Sequence, residues 1–284
     1  MARRNPEAKP YPDPKKHMAA RADRHILYQK AVQCVTAEID FVEATFQSLR
    51  KRRALRLRED FCGTAASACE WVRRRPANTA VGLDLDQPTL DWGTQHNVSK
   101  LTPAQRKRIA LLNRNVLSPG KEGRGMDAVL AMNFSWWIFK TRRELKQYFS
   151  AVRDSLAPDG IFFLDIYGGW ESLKEQTDRR QVGGKKNGFK YIWQQTNCNA
   201  IQNTTLCYIH FAFPDGSKMR KAFSYEWRVW QIPETRELLE ECGFRRTTVY
   251  WEGDDNKGGG NGIFTPSEAG ECCPSFIAYI IAER

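Results

Sequence analysis

The sequence predicts an α/β protein: a doubly wound, mainly parallel sheet interrupted by an antiparallel insertion. Three observations predict it. Short apolar strands alternate with amphipathic helices from residue 55 onward, which implies a parallel sheet covered by helices on both faces. A strand rich in acid, Leu57-Arg58-Glu59-Asp60, runs straight into the turn and helix start Phe61-Cys62-Gly63-Thr64-Ala65-Ala66. Twenty-one residues after Gly63, Val81-Gly82-Leu83-Asp84 ends another strand on a carboxylate. A helix start beside a strand end, with an acid about 20 residues on, is the geometry that holds a nucleoside.

Each element follows in order. Residues 1–22, with Pro6, Pro10, Pro12 and Pro14 among charges, read as a disordered basic tail. Residues 23–50 read as an N-terminal helical lid, since Ile26, Ala31, Val35, Ile39, Val42 and Phe46 recur at steps of three to five. Residues 51–169 read as the core, with strands expected near 55–59, 80–85, 109–113, 128–132 and 161–166. Helices are expected near 65–75, 88–97 and 141–156, the last with Leu145, Phe149, Val152 and Leu156 on one face. Arg56 and Arg58 are unusual in a strand buried on both faces. Either the strand emerges there or one of them meets a ligand carboxylate.

Residues 170–230 break the rhythm. Strands are expected near 191–193, 205–213 and 223–230, with the turn Pro214-Asp215-Gly216-Ser217 among them. Residues 231–284 complete the core with a helix from Pro233 to Cys242, closed by Gly243, and strands near 246–251 and 276–282. The loop Gly258-Gly259-Gly260 between those strands is flexible on composition.

Size and composition narrow the classes. The 284 residues, 41% hydrophobic, suffice for a full globular core. No run approaches 18 apolar residues, and the opening residues lack the apolar stretch of a signal peptide, so a cytoplasmic protein without membrane contact is expected. Eight scattered cysteines form no paired C-x-x-C sets; reduced thiols and no metal are the expectation. The net charge of +11 draws on the tail and on Arg50-Lys51-Arg52-Arg53. It fits an anionic partner or merely a solvated basic face.

The turn is not a dinucleotide fingerprint, which needs three glycines; Phe61 and Ala65 stand where two of them belong. It resembles the first motif of class I S-adenosylmethionine (SAM) dependent methyltransferases, an acid followed by Gly-Cys-Gly-Thr-Gly. Further stretches similar to that family follow in order: Asn115-Val116, Asn133-Phe134, the run Leu156 to Asp165, and Pro233 to Phe244. The resemblance implies a seven-stranded sheet, parallel except for its last strand, with SAM across the carboxyl ends of the strands. It implies that Glu59, Cys62 and Gly63 meet the methionine part, with Phe61 and Thr64 of the same turn also binding the cofactor. Asp84 would take the ribose hydroxyls, Leu85 and Asp86 would flank ribose and adenine, and Asn115 and Val116 would meet the adenine edge. Asn133 and Phe134 would lie near the sulfonium. In such proteins a helix before the first strand often closes over SAM; Tyr28 and Gln33 are candidates for it.

Methyl transfer from a sulfonium is an in-line displacement, so positioning and dehydration carry much of the catalysis. A base is needed only where the nucleophile must first lose a proton. Tyr167 and His210 are candidates for that role. Trp136 and Trp137 after the fourth strand, with Trp193, Tyr225 and Trp227 in the insertion, are expected to wall the acceptor. Arg228 is placed to clamp a substrate carboxylate. For each of these, packing or a solvent-facing position is the alternative. The Asn/Asp-Pro-Pro-Tyr/Phe clamp of nucleic-acid amino methyltransferases is absent: Asn133-Phe134-Ser135-Trp136 stands instead. The expectation is a small polar, carboxylate-bearing metabolite methylated on N, O or S, with nucleic acid not a partner and the protein a monomer or homodimer. A protein or RNA methyltransferase docking through the basic tail, and a non-catalytic SAM-binding protein, stay open.

Overall fold

The computed structural model describes residues 17–255 and 259–284. Its helices are α1 (Met18–Arg21), α2 (Arg24–Ala31), α3 (Val35–Arg50), α4 (Ala66–Arg74), α5 (Gln87–His96), α6 (Pro103–Arg106), α7 (Arg142–Ser155) and α8 (Ile232–Glu241). Its strands are β1 (Arg56–Asp60), β2 (Thr79–Asp84), β3 (Ile109–Asn113), β4 (Met126–Ala131), β5 (Leu156–Gly168), β6 (Gln176–Val182), β7 (Phe189–Asn199), β8 (Thr204–Ala212), β9 (Lys218–Arg228), β10 (Arg246–Asp254), β11 (Gly260–Pro266) and β12 (Phe276–Glu283).

The larger sheet has the order β11-β10-β12-β5-β4-β1-β2-β3. From β3 to β5 the neighbours are parallel, and β12 runs antiparallel to both β5 and β10. Strand order reverses between β1 and β4, so their carboxyl ends flank a topological switch point, where open α/β sheets bind ligands. The seven expected strands are present, and β11 adds an eighth. It pairs antiparallel with the extended end of β10 and begins at Gly260, the last residue of the expected loop Gly258-Gly259-Gly260. An uncovered sheet edge offers a row of backbone donors and acceptors, and residues 260–266 use it. Gly258 itself lies outside the described residues, as does most of the expected tail. Its last residues are ordered: the Met18 N–H donates to Asp215 Oδ2 and the Ala19 N–H to Ser217 Oγ.

Two compact units divide the chain. The core unit comprises Cys34–Lys174, Asn197–Thr205 and Glu226–Arg284. Ile39, Val42 and Phe46 of α3, with Trp71 and Val72 of α4, bury completely against sheet residues such as Leu57, Ala128 and Phe163. Each large apolar side chain so buried contributes about 1.5–3 kcal/mol. Helix α7 is started by a capping box between Thr141 and Glu144 and buries Leu145, Tyr148, Phe149 and Val152. The sheet unit joins the chain up to Gln33 with Glu175–Thr196 and Leu206–Tyr225. Within it Leu27 and Ala31 of α2 pack on Phe189, Ile209, Phe211 and Ala222 of the antiparallel sheet β6-β7-β8-β9.

The helical stretch at 23–50, expected as one lid, therefore divides. Leu27 and Ala31 complete one apolar cluster while Ile39, Val42 and Phe46 complete another, and the chain breaks at 32–34 to serve both. The expected insertion 170–230 divides for the same reason, with 197–205 and the residues from 226 onward grouping with the core.

Candidate active site at the strand ends

The turn after β1 explains its missing glycines. Phe61, Gly63 and Ala65 all adopt left-handed φ, at 54°, 50° and 55°. Two residues with side chains thus hold a conformation that costs an L-residue about 1–2 kcal/mol. Phe61 offsets part of that cost by packing its ring on Tyr148 and Phe139, with centroids 5.5 and 6.2 Å away. Ala65 caps α4 without a side-chain hydrogen bond, and Glu59 reaches over from β1 to accept from the Ala68 N–H at 2.8 Å. Elsewhere glycine is obligatory for close approach. A Cβ on Gly82 would sit 2.8 Å from Cys62 Sγ, and one on Gly93 2.7 Å from the Thr64 carbonyl oxygen. Cys62 is buried beside carboxylates, and burial above all pushes its thiol up, so it is a neutral turn residue rather than a nucleophile. Thr64 is buried, and its carbonyl accepts from Asn97 Nδ2.

Asp84 ends β2 with both oxygens turned to the loops. Oδ2 accepts from the Gly63 N–H at 2.8 Å, and Oδ1 from the Asp86 N–H at 2.9 Å. A carboxylate has about four lone-pair sites, so each oxygen retains room for a ligand hydroxyl. Leu85 is 66% exposed, which leaves an apolar surface beside that carboxylate. Asp86 accepts from Thr89 Oγ1 at the start of α5. Asn115 folds its side chain back to accept from the Leu117 N–H, an Asx turn, while Val116 is buried.

Two acids missing from the expected set stand at the same strand ends. Glu38 of α3 accepts weakly from Ser67 Oγ at 3.5 Å, and the same hydroxyl reaches Glu59. Asp165 of β5 accepts from the consecutive N–H groups of Asn133 and Phe134 at 2.6 and 2.9 Å. Those two residues are both left-handed, so the loop after β4 is shaped as a cradle around the Asp165 carboxylate. Burial pushes Glu59 up to about 8 and Asp165 up to about 7, with Glu38 adding repulsion to each; Glu38 is itself raised by burial. None of Glu38, Glu59, Asp84 and Asp165 is ion-paired with Lys or Arg among the described residues. Asp165 was legible only as the end of a strand. Glu38 had no motif at all, only its place in the first turn of α3.

Arg58 does not emerge from the sheet or meet a ligand. It is fully buried and forks both Asp60 oxygens at 2.8 and 2.9 Å, with a third bond to the Gly123 carbonyl. Tyr148 Oη donates to the same Asp60 at 2.9 Å.

Of the expected acceptor wall, the core unit holds Phe134, Trp136, Trp137, Tyr167 and Trp227. Trp136 is a core residue, its indole N–H donating to the Asp165 carbonyl. Phe134, Trp137, Tyr167 and Trp227 form one aromatic cluster with centroids 5.6–6.3 Å apart. The Trp137 Nε1 proton is buried with no hydrogen-bond partner among the described residues. Arg228 is already committed: it donates to the Lys140 carbonyl and Glu234 and stacks 3.8 Å over Trp230. That removes the observation behind a substrate carboxylate.

Tyr28, Trp193, His210 and Tyr225 belong to the sheet unit. Tyr28 packs on Phe223 and shares a hydrogen bond with Tyr225. Trp193 donates to Gln195. His210 Nδ1 accepts from the Lys221 N–H and Nε2 faces Gln194 Oε1 at 3.0 Å. Both ring nitrogens are engaged, and burial with nearby Arg220 and Lys221 holds the ring neutral; as a general base it has no open lone pair. Among the described residues no group of three or more His, Cys, Asp or Glu is arranged for a metal ion. No described helix is long and apolar enough to cross a membrane.

No protein-family model matches the chain. It is 24% identical over 189 residues to YqeM of Bacillus subtilis (strain 168), provisionally named a methyltransferase, covering 65% of this chain and 71% of that one. Among solved structures it is similar to SAM-bound CalS10, an amino pentose methyltransferase from Micromonospora echinaspora. The TM-score is 0.65 at 17% identity, over 92% of this chain and 95% of that one. It is similar also to the sugar N-methyltransferase KedS8 from Streptoalloteichus, with TM-score 0.63 at 15% identity over 93% of each chain. The fold is that of the class I SAM-dependent methyltransferases. The unpaired carboxylates at its switch point fit that class's cofactor, S-adenosylmethionine, whose sulfonium and ammonium are cations.

Proposed function

We propose that the protein transfers the methyl group of SAM to a nitrogen of a small polar molecule, an amino sugar or related amine. One observation carries the reading: Glu38, Glu59, Asp84 and Asp165 converge at the strand ends with backbone or hydroxyl donors but, among the described residues, no cationic partner. Such a set attracts cations and disfavours anions. SAM supplies a methyl group on a sulfonium that is already activated. In this reading Asp84 holds the ribose hydroxyls, and Glu59 and Glu38 face the cationic methionine end. Asp165 fixes the loop of Asn133 and Phe134. Phe134, Trp137, Tyr167 and Trp227 exclude water and hold the acceptor close.

The unsatisfied Trp137 N–H costs roughly 1–3 kcal/mol while it lacks an acceptor, and an oxygen of a polar ligand would supply one. An amine that is neutral when it binds needs no strong base, which agrees with a site lacking an open histidine. The carboxylate-bearing substrate is dropped, because Arg228 is bound to Glu234. The relatives that act on amino pentose and sugar nitrogen support the acceptor class.

The test is incubation with methyl-labelled SAM and a panel of amino sugars, amines, hydroxy acids and RNA, read by mass spectrometry. Label on an amine supports the proposal. Label only on carboxylates or macromolecules, or no calorimetric binding of SAM and S-adenosylhomocysteine, defeats it.

A further inference from the structure

The antiparallel sheet has two unlike faces. On β6 and β7 the pairs Arg180↔Tyr191 and Asp178↔Trp193 alternate with Gln181↔Lys190 and Arg179↔Ile192. Tyr191 and Trp193 pack on the apolar cluster beneath α2, so Asp178 lies on that inner side. The outer side takes Arg179 and Lys190, then Tyr208 and His210 of β8, which alternate with buried Cys207, Ile209 and Phe211. Strand β9 adds exposed Lys218, Arg220 and Lys221, and the Lys221 ammonium sits 4.4 Å over the Tyr208 ring. At one end this face opens into a hollow of about 280 Å³, where Lys185, Lys190, Lys218 and Gln181 stand beside an apolar lining that includes Phe189 and Phe213.

Charge makes the face unusual. The described residues of the sheet unit hold eleven Lys/Arg against four Asp/Glu, a net +7, whereas those of the larger core unit hold 27 against 27, a net of zero. Among the described residues, no carboxylate is ion-paired with Arg179, Lys185, Lys190, Lys218, Arg220 or Lys221; Asp215 lies 3.7 Å from His17 Nδ1 instead. Three ammoniums around one hollow repel one another unless an anion lies between them. Lysine is a compact point charge suited to phosphate, whereas bidentate carboxylate recognition uses arginine. Cations ranged along a surface with interspersed rings form the pattern that tracks a phosphate backbone while bases stack on the rings.

We propose that this outer face, anchored at the lysine hollow, docks single-stranded RNA through its phosphates without reading sequence. The proposal is independent of the methyl-transfer reading. A missing amine clamp says that bases are not the methyl acceptor and leaves docking unaffected.

Full-length protein is titrated into a fluorescein-labelled oligouridylate of about twelve nucleotides, with anisotropy read between about 50 and 200 mM salt. The triple variant Lys185→Glu, Lys190→Glu, Lys218→Glu is compared with a core-unit control of equal charge, Lys100→Glu, Lys107→Glu, Lys121→Glu. The sheet variant is expected to weaken binding at least tenfold and to reduce the log–log salt slope by about 2, since each single-strand phosphate contact contributes about 0.7. The control is expected to change affinity less than about threefold, the spread of non-contact electrostatics. Three results overturn the proposal: no binding at the lowest salt, equal weakening by the control, or equally tight capture of a polyglutamate of the same length. Unchanged methyl transfer in the sheet variant would further separate this surface from the strand-end site.

Discussion

The two units of this protein treat charge in opposite ways. In the core unit arginines are consumed by the fold. Arg58 is locked to Asp60, Arg52 bridges Asp127 and Asp159, and Arg50 reaches Glu283 and the Asp159 carbonyl. Half of the basic cluster at 50–53 is thereby structural mortar, not a docking element. Four acids of that unit that have no ion pair among the described residues, Glu38, Glu59, Asp84 and Asp165, stand at the switch point. In the sheet unit the cations are the ones left over, and its described carboxylates are few. Unpaired charge thus underlies both proposals, with opposite sign: an acidic site fit for a cationic cofactor, and a basic face fit for phosphates.

The contrast breaks most visibly where the core's pairing is cut. Asp60→Ala strands a fully buried guanidinium and should cost about 3–5 kcal/mol in urea unfolding, whereas Arg179→Ala on the sheet face should stay within about 0.5 kcal/mol. If the two cost the same, the difference between structural and surplus charge is gone. Asp84→Ala comes next. Losing charge-assisted bonds to the ribose should weaken SAM binding by roughly tenfold to a hundredfold in calorimetry, and the ligand-free protein should itself lose about 1–3 kcal/mol in urea unfolding, because the Gly63 and Asp86 N–H groups lose their acceptor.

The pH dependence tests the acid cluster. Glu59, ordinarily near 4.5, titrates in the fold at about 8, and Asp165, ordinarily near 3.8, at about 7. The ligand-free fold therefore binds more protons than the unfolded chain between those values. The stability from these groups is fully present below about 4 and is lost as pH rises through 7 to 8. A bound cation favours the ionised carboxylates, so SAM binding should release protons and tighten from pH 6 to 8, by up to about tenfold per pH unit for each proton. Calorimetry in two buffers of different ionisation enthalpy measures the release; proton uptake would contradict the cluster's role.

Smaller effects probe the strained turn. Phe61→Gly relieves the left-handed strain but loses the ring's packing on Tyr148, for a net destabilisation of about 1–2 kcal/mol. A stabilised variant would mean the ring shapes the ligand site rather than holding the loop. Tyr148→Phe removes one bond to Asp60 and should cost about 1 kcal/mol.

Much of the core was legible because its signals are local. Alternating strands and helices, an acid at the end of β2 and a turn after β1 depend on neighbours in sequence, so Glu59 and Asp84 stand near the ends of expected strands and Gly63 in the expected turn. The aromatic residues were less readable. Trp136, Trp137 and Trp227 look alike in sequence, yet one is core, one keeps an unsatisfied N–H and one packs edge-on, depending on which strand lies opposite. Glu38 was invisible because it precedes β1 by a helix and reaches the strand ends only through packing. Arg228 and His210 looked chemically open and are not, since their partners, Glu234 and Gln194, are ordinary residues without a motif.

The sequence by itself determined the doubly wound sheet, its antiparallel last strand and the loops that meet at the switch point, because hydrophobic periodicity and turn chemistry are written in adjacent residues. Only the tertiary structure decided which charges remain unpaired. Pairing depends on distances between residues tens to hundreds apart in the chain, and so the acids of one unit and the lysines of the other became distinguishable from the rest of the charge only once the fold had brought their neighbours into place.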